Sequence, residues 1–118
     1  MKGEILTMKM KLRNVIANFS NLAKVIQKEI PVPFALRRAI RKNYNTLKEE
    51  CLLFEDERKI LKIQCKDEEL QAKIEEMLDT EVNVEIAKVS EAMLDIDGLT
   101  VTDEMALEFM IEEVQECQ

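Results

Sequence analysis

The densest group of chemically active side chains in this sequence is basic. It consists of Arg37, Arg38, Arg41 and Lys42. Guanidinium groups at such density suit bidentate binding of phosphates or carboxylates. The group could bind a phosphate-bearing small molecule or a nucleic-acid backbone, contact an acidic patch on a partner protein, or face solvent and pair with acids of the same chain. Lys9, Lys11 and Arg13 would extend the group if the fold brought them close.

Catalytic and metal-binding chemistry has little support in the sequence. The chain contains no histidine, which removes the commonest general base and the commonest metal ligand. Phosphate-binding loops, dinucleotide-binding glycine motifs, nucleophile elbows and zinc-protease motifs are all missing. The segment 95–98 matches part of a calcium loop, but that spacing places Met93 where the loop requires an acid. We therefore expect no enzymatic activity, no metal and no cofactor.

The cysteines indicate a reducing environment. Cys51, Cys65 and Cys117 are odd in number and form no CxxC pair, whereas a small secreted chain usually carries an even disulfide framework. No apolar run approaches the roughly 18 residues of a membrane-spanning helix, and the first residues lack the features of a signal peptide. We therefore expect an intracellular protein without a membrane anchor.

Charge is divided unevenly along the chain. The net charge of −7 over 118 residues combines +8 in residues 1–49 with −15 in residues 50–118. Such asymmetry predicts an interaction surface of one sign, unless the two halves fold together and neutralise each other. Aromatic residues make up 4% of the chain and tryptophan is absent, so a base-stacking surface for nucleic acid is not expected. These features favour a protein partner over a nucleic acid.

Apolar periodicity predicts the elements that hold the basic group. Alternation predicts a strand over residues 4–12, with one apolar and one basic face. Spacings of three and four predict an amphipathic helix over 15–29, with Asn14 as its N-cap. The prolines of segment 30–33 end that helix, and Pro33 suits the start of the next one.

A long uninterrupted helix is predicted from Phe34 to about Gln64, with a length of roughly 45 Å. One side of it carries a heptad seam, which Arg58 interrupts. The seam comprises Ile40, Tyr44, Leu47, Cys51, Phe54, Leu61 and Cys65. Because the helix is longer than a small domain needs, we expect one end to project or to pack against another chain. The seam therefore predicts either a helical hairpin or a homo-oligomer.

The acidic half completes the predicted single domain of 118 residues. Periodicity predicts a short helix over 68–79 and a second strand over 81–87, with a further short strand within 94–101 as an option. A last helix over 103–115 would be capped by Thr102. The predicted fold is α+β and predominantly helical, with a small antiparallel sheet packed against helices, one of them about 30 residues long.

The order of these features resembles a family of small proteins of unknown function encoded by bacteriophages and prophages of Gram-positive bacteria. The matching segments are "MKMKLRNVIANFSNLAKVIQKEIPVPFALRRAIRKNYNTLKEE", "FEDERKILKI", "DTEVNVEIAKV" and "MALEFMIEE". Together they cover nearly the whole chain. The chain departs from the family in the short segment after Ile63, where a longer charged stretch is expected. The resemblance implies a phage origin and the host cytoplasm, and it assigns no catalytic residues.

These observations place the function in binding. We expect a non-enzymatic phage accessory protein that binds a host or phage protein, with inhibition of a bacterial defence system as one form of that activity. An alternative is an oligomeric protein that sequesters a phosphorylated or nucleotide-like small molecule through Arg37, Arg38 and Arg41. A further alternative is a structural role in virion assembly.

Overall fold

In the computed structural model, residues 5–112 are described, and they form a mostly helical α+β fold. The elements in chain order are β1 (Ile5–Lys11), α1 (Leu12–Gln27), α2 (Phe34–Gln64), α3 (Asp67–Leu78), β2 (Glu81–Ala87) and α4 (Val101–Leu107). Short 3₁₀ turns over Glu91–Leu94 and Glu108–Met110 precede and follow α4. The predicted class is confirmed, and so is the long helix, which has 31 residues.

The sheet pairs two strands that are far apart in the sequence. β1 and β2 run antiparallel in a register that joins Ile5 to Ala87 and Lys11 to Glu81. Side chains alternate between the faces of a strand, so this register gathers six apolar residues on one face. They are Leu6, Met8 and Met10 on β1 and Val82, Val84 and Ile86 on β2. The strand predicted over residues 4–12, with one apolar and one basic face, is therefore confirmed over Ile5–Lys11; Leu12 belongs to α1, and residue 4 lies outside the described residues.

Helix α1 and the first half of α2 pack over the apolar face of the sheet. The core side chains without exposed surface include Val15, Leu22, Leu36, Leu47 and Ile86. Phe19 of α1 stacks on Tyr44 of α2, with ring centroids 4.9 Å apart. Full burial of one large aliphatic side chain is worth about 1.5–3 kcal/mol, so this layer supplies most of the hydrophobic stabilisation.

One polar side chain, that of Asn43, is fully buried in this layer. Its amide nitrogen Nδ2 donates to the carbonyl oxygen of Ala87 at 3.0 Å and approaches the sulfur of Met110 at 3.3 Å. The backbone N–H of Ala87 donates in turn to Oδ1 of Asn43 at 2.7 Å. Asn43 thus satisfies both backbone groups of Ala87, as a neighbouring strand would.

The end of the described chain extends the sheet beyond β2. The N–H of Val89 donates to the carbonyl oxygen of Met110 at 2.9 Å, and the N–H of Glu112 donates to that of Val89 at 2.8 Å. The buried Lys88 donates from Nζ to the carbonyl oxygen of Phe109 at 3.0 Å. These bonds attach the segment after α4 to the core.

The first helix begins earlier than its apolar spacing predicts. Helix α1 follows β1 directly, and Lys11 is its N-cap without a side-chain hydrogen bond. The N–H of Leu12 is satisfied instead by the carbonyl oxygen of Thr80 at 2.9 Å. The prediction of Asn14 as the N-cap is therefore wrong: the helix begins before Asn14, and the backbone next to β2 accepts the hydrogen bond of its first N–H.

The optional third strand within 94–101 does not form. Ser90 caps the 3₁₀ turn over Glu91–Leu94, and the chain then reverses at Gly98, whose φ is +98°. The positive φ favours glycine, and a Cβ at Gly98 would also make a tight contact, 3.2 Å from Cγ2 of Ile30. Such a turn is incompatible with an extended strand.

Helix α4 is shorter than predicted and is capped by a different residue. Thr100 is the N-cap, and it forms a reciprocal capping box with Asp103. Thr102 therefore lies within α4, which corrects the predicted cap. Residues 113–115 of the predicted last helix lie outside the described residues.

The second half of α2 is less buried than the first, although Cys51 and Phe54 still pack against the core. All buried residues of α2 lie between Leu36 and Leu47, and α3 has no buried residue. The radius of gyration is 16.5 Å, whereas a compact chain of this size has about 13 Å. The fold is thus elongated, at 49 × 38 × 21 Å.

Candidate functional site

The four predicted basic residues lie on the solvent side of α2, in its first three turns, and all four are exposed. Successive residues of a helix rotate by about 100°, so these side chains and Phe34 share one exposed surface. We call this surface the basic face; it comprises Phe34, Arg37, Arg38, Arg41 and Lys42. The guanidinium carbon of Arg37 lies 5.9 Å from the ring centroid of Phe34, which is within cation–π range.

The basic face occupies the positive end of the dipole of α2. The first turn of this helix contains no acidic residue. Anions are stabilised in the first turn of a helix and cations are not, so the dipole of α2 disfavours the charge of Arg37, the basic residue nearest that turn. A local conflict of this kind between sequence and fold is typical of functional surfaces. The arrangement favours binding of an external anion.

The two halves of the chain neutralise each other at other places. Nη2 of Arg13 lies 3.1 Å from Oε1 of Glu75 and 2.9 Å from Oδ1 of Asp79. Nζ of Lys28 lies 2.8 Å from Oδ1 of Asp103. Within residues 5–112, by contrast, no carboxylate oxygen lies within 4.0 Å of a cation of the basic face. Arg13 is therefore occupied elsewhere and does not extend the basic face.

The lysines of β1 do not extend the basic face either. Lys9 lies opposite Asn83 and Lys11 opposite Glu81 in the sheet. Of the residues of β1, Ile5 lines the groove next to the basic face, and it lies at the opposite end of the strand from Lys11. At about 3.3 Å per residue, Lys11 lies roughly 20 Å farther along the strand.

Arg37 and Arg41 line a cleft of about 310 Å³ between the end of α1 and the start of α2. The apolar residues of this cleft are Val25, Ile26, Ile30, Val32 and Ile40. Glu29 also lines it and has a positive φ of 56°. Two guanidinium groups beside an apolar surface are suited to an anion that carries an apolar group.

Arg38 and Lys42 line a second groove, of about 380 Å³, on the other side of the basic face. Lys88 also lines this groove, with its Nζ held by the carbonyl oxygen of Phe109. The structure thus divides the four predicted residues into two pairs, and the two members of each pair lie one helical turn apart. No sequence pattern pointed to Lys88, because only the fold brings it into the same groove as Lys42.

The heptad seam is partly used inside this chain. Ile40 and Leu47 are buried in the core. The half-buried members of the seam are Tyr44, Cys51, Phe54 and Leu61. Arg58, which interrupts the seam, donates to Oε1 of Glu55 at 2.8 Å. Self-association through the seam stays a prediction. Ile40 and Leu47 are buried in the core of their own chain, so the contact would use the other seam residues.

The described cysteines are free thiols. They are Cys51, which is half-buried, and Cys65, which is buried. Burial raises the pKa of the Cys51 thiol, and the nearby carboxylates of Glu50 and Glu55 raise it further. The thiolate is the reactive form, so this environment does not activate Cys51 as a nucleophile. Cys117 lies outside the described residues.

Residues 5–112 bring together no group of three or more Cys, Asp or Glu side chains that could hold a metal ion. The helices of this part of the chain include none that is both long enough and apolar enough to cross a bilayer.

Comparison with known proteins gives no match to a family model, to a curated protein or to a solved structure. The basic face and its two grooves are therefore interpreted from their own geometry and charge.

Proposed function

We propose that this protein is a non-catalytic binding protein whose basic face contacts an acidic surface of a partner protein. One observation carries the proposal: within residues 5–112 these four exposed cations have no carboxylate within 4.0 Å, while Arg13 and Lys28 pair across the two halves. An acidic partner would supply the missing anions. Phe34 is 66% exposed beside the arginines, and exposed aromatic and arginine side chains are typical of interface hot spots.

A protein partner fits the charge distribution better than a nucleic acid. The chain has a net charge of −7, and its acidic half would repel a phosphate backbone. From Phe34 to Lys42 the basic face spans only about 12 Å of helix, which is enough for a few anions but not for an extended backbone.

The resemblance to phage and prophage proteins supports a specific biological setting. In this proposal the protein is a phage accessory protein that acts in the host cytoplasm on a host or phage protein, with a host defence or regulatory factor as the favoured partner. A structural role in virion assembly makes a different prediction, namely that the protein is detected by mass spectrometry in purified phage particles.

A second candidate function is favoured by the cleft that Arg37 and Arg41 line. Its volume of about 310 Å³ lies at the small end of the range for small-molecule sites, about 300–1,000 Å³. In this alternative the protein sequesters a phosphorylated or nucleotide-like molecule, with the phosphate on the guanidinium groups. Arg38 does not line the cleft, so the site would use two of the three arginines expected.

Two paired charge reversals test the protein-binding proposal. Arg37→Glu/Arg41→Glu changes the cleft, and Arg38→Glu/Lys42→Glu changes the second groove, while both change the basic face. The partner is captured from host lysate, identified and purified, and its Kd is measured by calorimetry at low and high salt. We expect both variants to weaken binding by roughly tenfold or more, with the larger effect at low salt.

A matched control has the same change in charge elsewhere. Lys62→Glu/Lys73→Glu reverses two exposed charges on α2 and α3 and should leave the Kd within about twofold. Equal effects of all three variants would show a nonspecific response to net charge and would overturn the proposal.

Thermal shift separates the second candidate from the first. AMP, ATP and inorganic pyrophosphate serve as probes, and a ligand at 100 times its Kd stabilises the fold by about 2.7 kcal/mol. The second candidate predicts a rise in Tm that Arg37→Glu/Arg41→Glu abolishes and that Arg38→Glu/Lys42→Glu preserves. If none of the three probes raises Tm at millimolar concentration, this candidate fails while the protein-binding proposal stands.

A further inference from the structure

The second half of α2 carries an apolar surface that is separate from the heptad seam. We call it the outer apolar face; it comprises Leu52, Leu53, Ile60 and Ile63, which are 56%, 58%, 45% and 86% exposed. At about 100° per residue these four side chains fall within an arc of about 100°. The seam residues Phe54 and Leu61 lie outside this arc, about 80–100° beyond Leu53, which borders a groove that Phe54 also lines. Within residues 5–112, therefore, the outer apolar face stays open to solvent.

The charges of the outer apolar face show which orientation of a second copy fits it. Asp56 lies near the middle of the arc, and Lys59 lies at its edge. Parallel pairing of two α2 helices would set Asp56 beside its own equivalent and would repel. Antiparallel pairing about a two-fold axis between Glu57 and Arg58 sets Asp56 of one copy opposite Lys59 of the other.

The same register also pairs the apolar side chains. An axis between residues 57 and 58 sets Leu52 of one copy opposite Ile63 of the other, and the symmetry forms this contact twice. One register therefore satisfies both the apolar contacts and the opposite charges. Self-complementarity of this kind, on a single helix face, is what a two-fold interface requires.

We propose that a second copy of this chain covers the outer apolar face, through antiparallel pairing of the two α2 helices in this register. The inference is independent of the proposed function, because it uses none of the residues of the basic face. The expected homo-oligomer would then associate through the outer apolar face and not through the heptad seam. The two basic faces would lie roughly 55 Å apart, at opposite ends of the paired helices, where both stay accessible.

Sedimentation velocity over a wide range of protein concentration is the first test. A single helix face is a small interface, so we expect a reversible monomer–dimer equilibrium rather than a permanent dimer. Leu52→Glu/Ile63→Glu should abolish the dimer and keep the far-UV circular dichroism of the native chain, because both side chains are exposed. Met105→Glu is the matched control: it places a charge at a residue of α4 that is 68% exposed and should leave the dimer unchanged.

Charge exchange tests the orientation and the register. Asp56→Lys and Lys59→Asp should each weaken the dimer by roughly tenfold or more, because each sets like charges opposite one another. When the two variants are mixed, every such pair is again of opposite sign, so we expect a heterodimer with about the native affinity. The doubly exchanged chain, Asp56→Lys/Lys59→Asp, should likewise dimerise.

Three outcomes would overturn the proposal. The first is a monomer at every concentration reached. The second is a dimer that Leu52→Glu/Ile63→Glu leaves intact. The third is a mixture of the two charge variants that associates no better than either variant alone.

Discussion

The buried side chain of Asn43 offers the sharpest test of how this fold is held together. Replacing Asn43→Ala removes the acceptor for the N–H of Ala87 and the donor to its carbonyl oxygen. A buried backbone group left without a partner costs about 1–3 kcal/mol. With two such groups, we expect a loss of about 3 kcal/mol or more, and a fall in Tm of about 10 °C or more.

A second substitution at the same position makes the test specific to the hydrogen bonds. Asn43→Asp keeps an acceptor for the N–H of Ala87 but, when ionised, has no donor for the carbonyl oxygen. Burial then raises the pKa of the introduced carboxyl above its unfolded value of about 3.9. A group whose folded pKa is raised in this way binds its proton more tightly in the folded state. Stability should therefore fall as pH rises above about 4, by about 1.4 kcal/mol per pH unit.

The measurement is urea unfolding, followed by far-UV circular dichroism between pH 3 and 8. Asn45 is a matched control, because it lies two residues farther along α2 and is exposed. Asn45→Ala and Asn45→Asp should each change the free energy of unfolding by less than about 0.5 kcal/mol. If Asn43→Asp follows the pH dependence of Asn45→Asp, the double hydrogen bond to Ala87 does not hold this edge of the sheet, and the reasoning is refuted.

Four further substitutions test other parts of the structure. Burial favours the neutral form of Asp103, but Lys28 and the capping box outweigh this effect and lower the pKa of its carboxyl. The stability that the ionised carboxylate contributes should therefore be lost as pH falls below about 4. Asp103→Asn should remove that acid sensitivity and cost about 1 kcal/mol at pH 7 in urea unfolding, whereas an unchanged acid profile would contradict the assignment. Glu29→Gly should raise the free energy of unfolding by about 1 kcal/mol, since Glu29 has a positive φ; a loss of stability would show that its side chain matters more than its backbone. Leu47→Glu should prevent folding, as judged by circular dichroism, and Phe54→Glu, at a half-buried position, should be clearly milder.

Periodicity predicted the elements whose apolar residues face the core. The alternation in β1 and β2 and the absence of breakers after Pro33 located both strands and the long helix. The turn around Gly98 was missed; the backbone there has a φ of +98°, and the approach of Ile30 adds a contact that the local pattern does not record. The cap of α1 was missed for the same reason, since the carbonyl oxygen of Thr80 comes from a distant part of the chain.

The candidate site was predicted in composition but not in arrangement. Clustering along the chain located the four cations of the basic face. Their separation into two grooves depends on which elements pack beside α2, and Lys88 joins them only through the fold. The outer apolar face was also present in the sequence, at Leu52 and Ile63. A heptad seam describes one side of a helix, however, and only the exposure of the other side shows that it is available.

The register of the sheet has a consequence for how the chain folds during synthesis. Even the nearest pair of the ladder, Lys11 and Glu81, is separated by 70 residues, and three helices lie between them. Loop closure over that distance is slow, so local helices form first and the ladder last. On the ribosome, the backbone of β1 has no strand to pair with until β2 has emerged from the exit tunnel, and its apolar side chains stay without the completed core. We therefore expect β1 to be the segment of the nascent chain most dependent on chaperone protection.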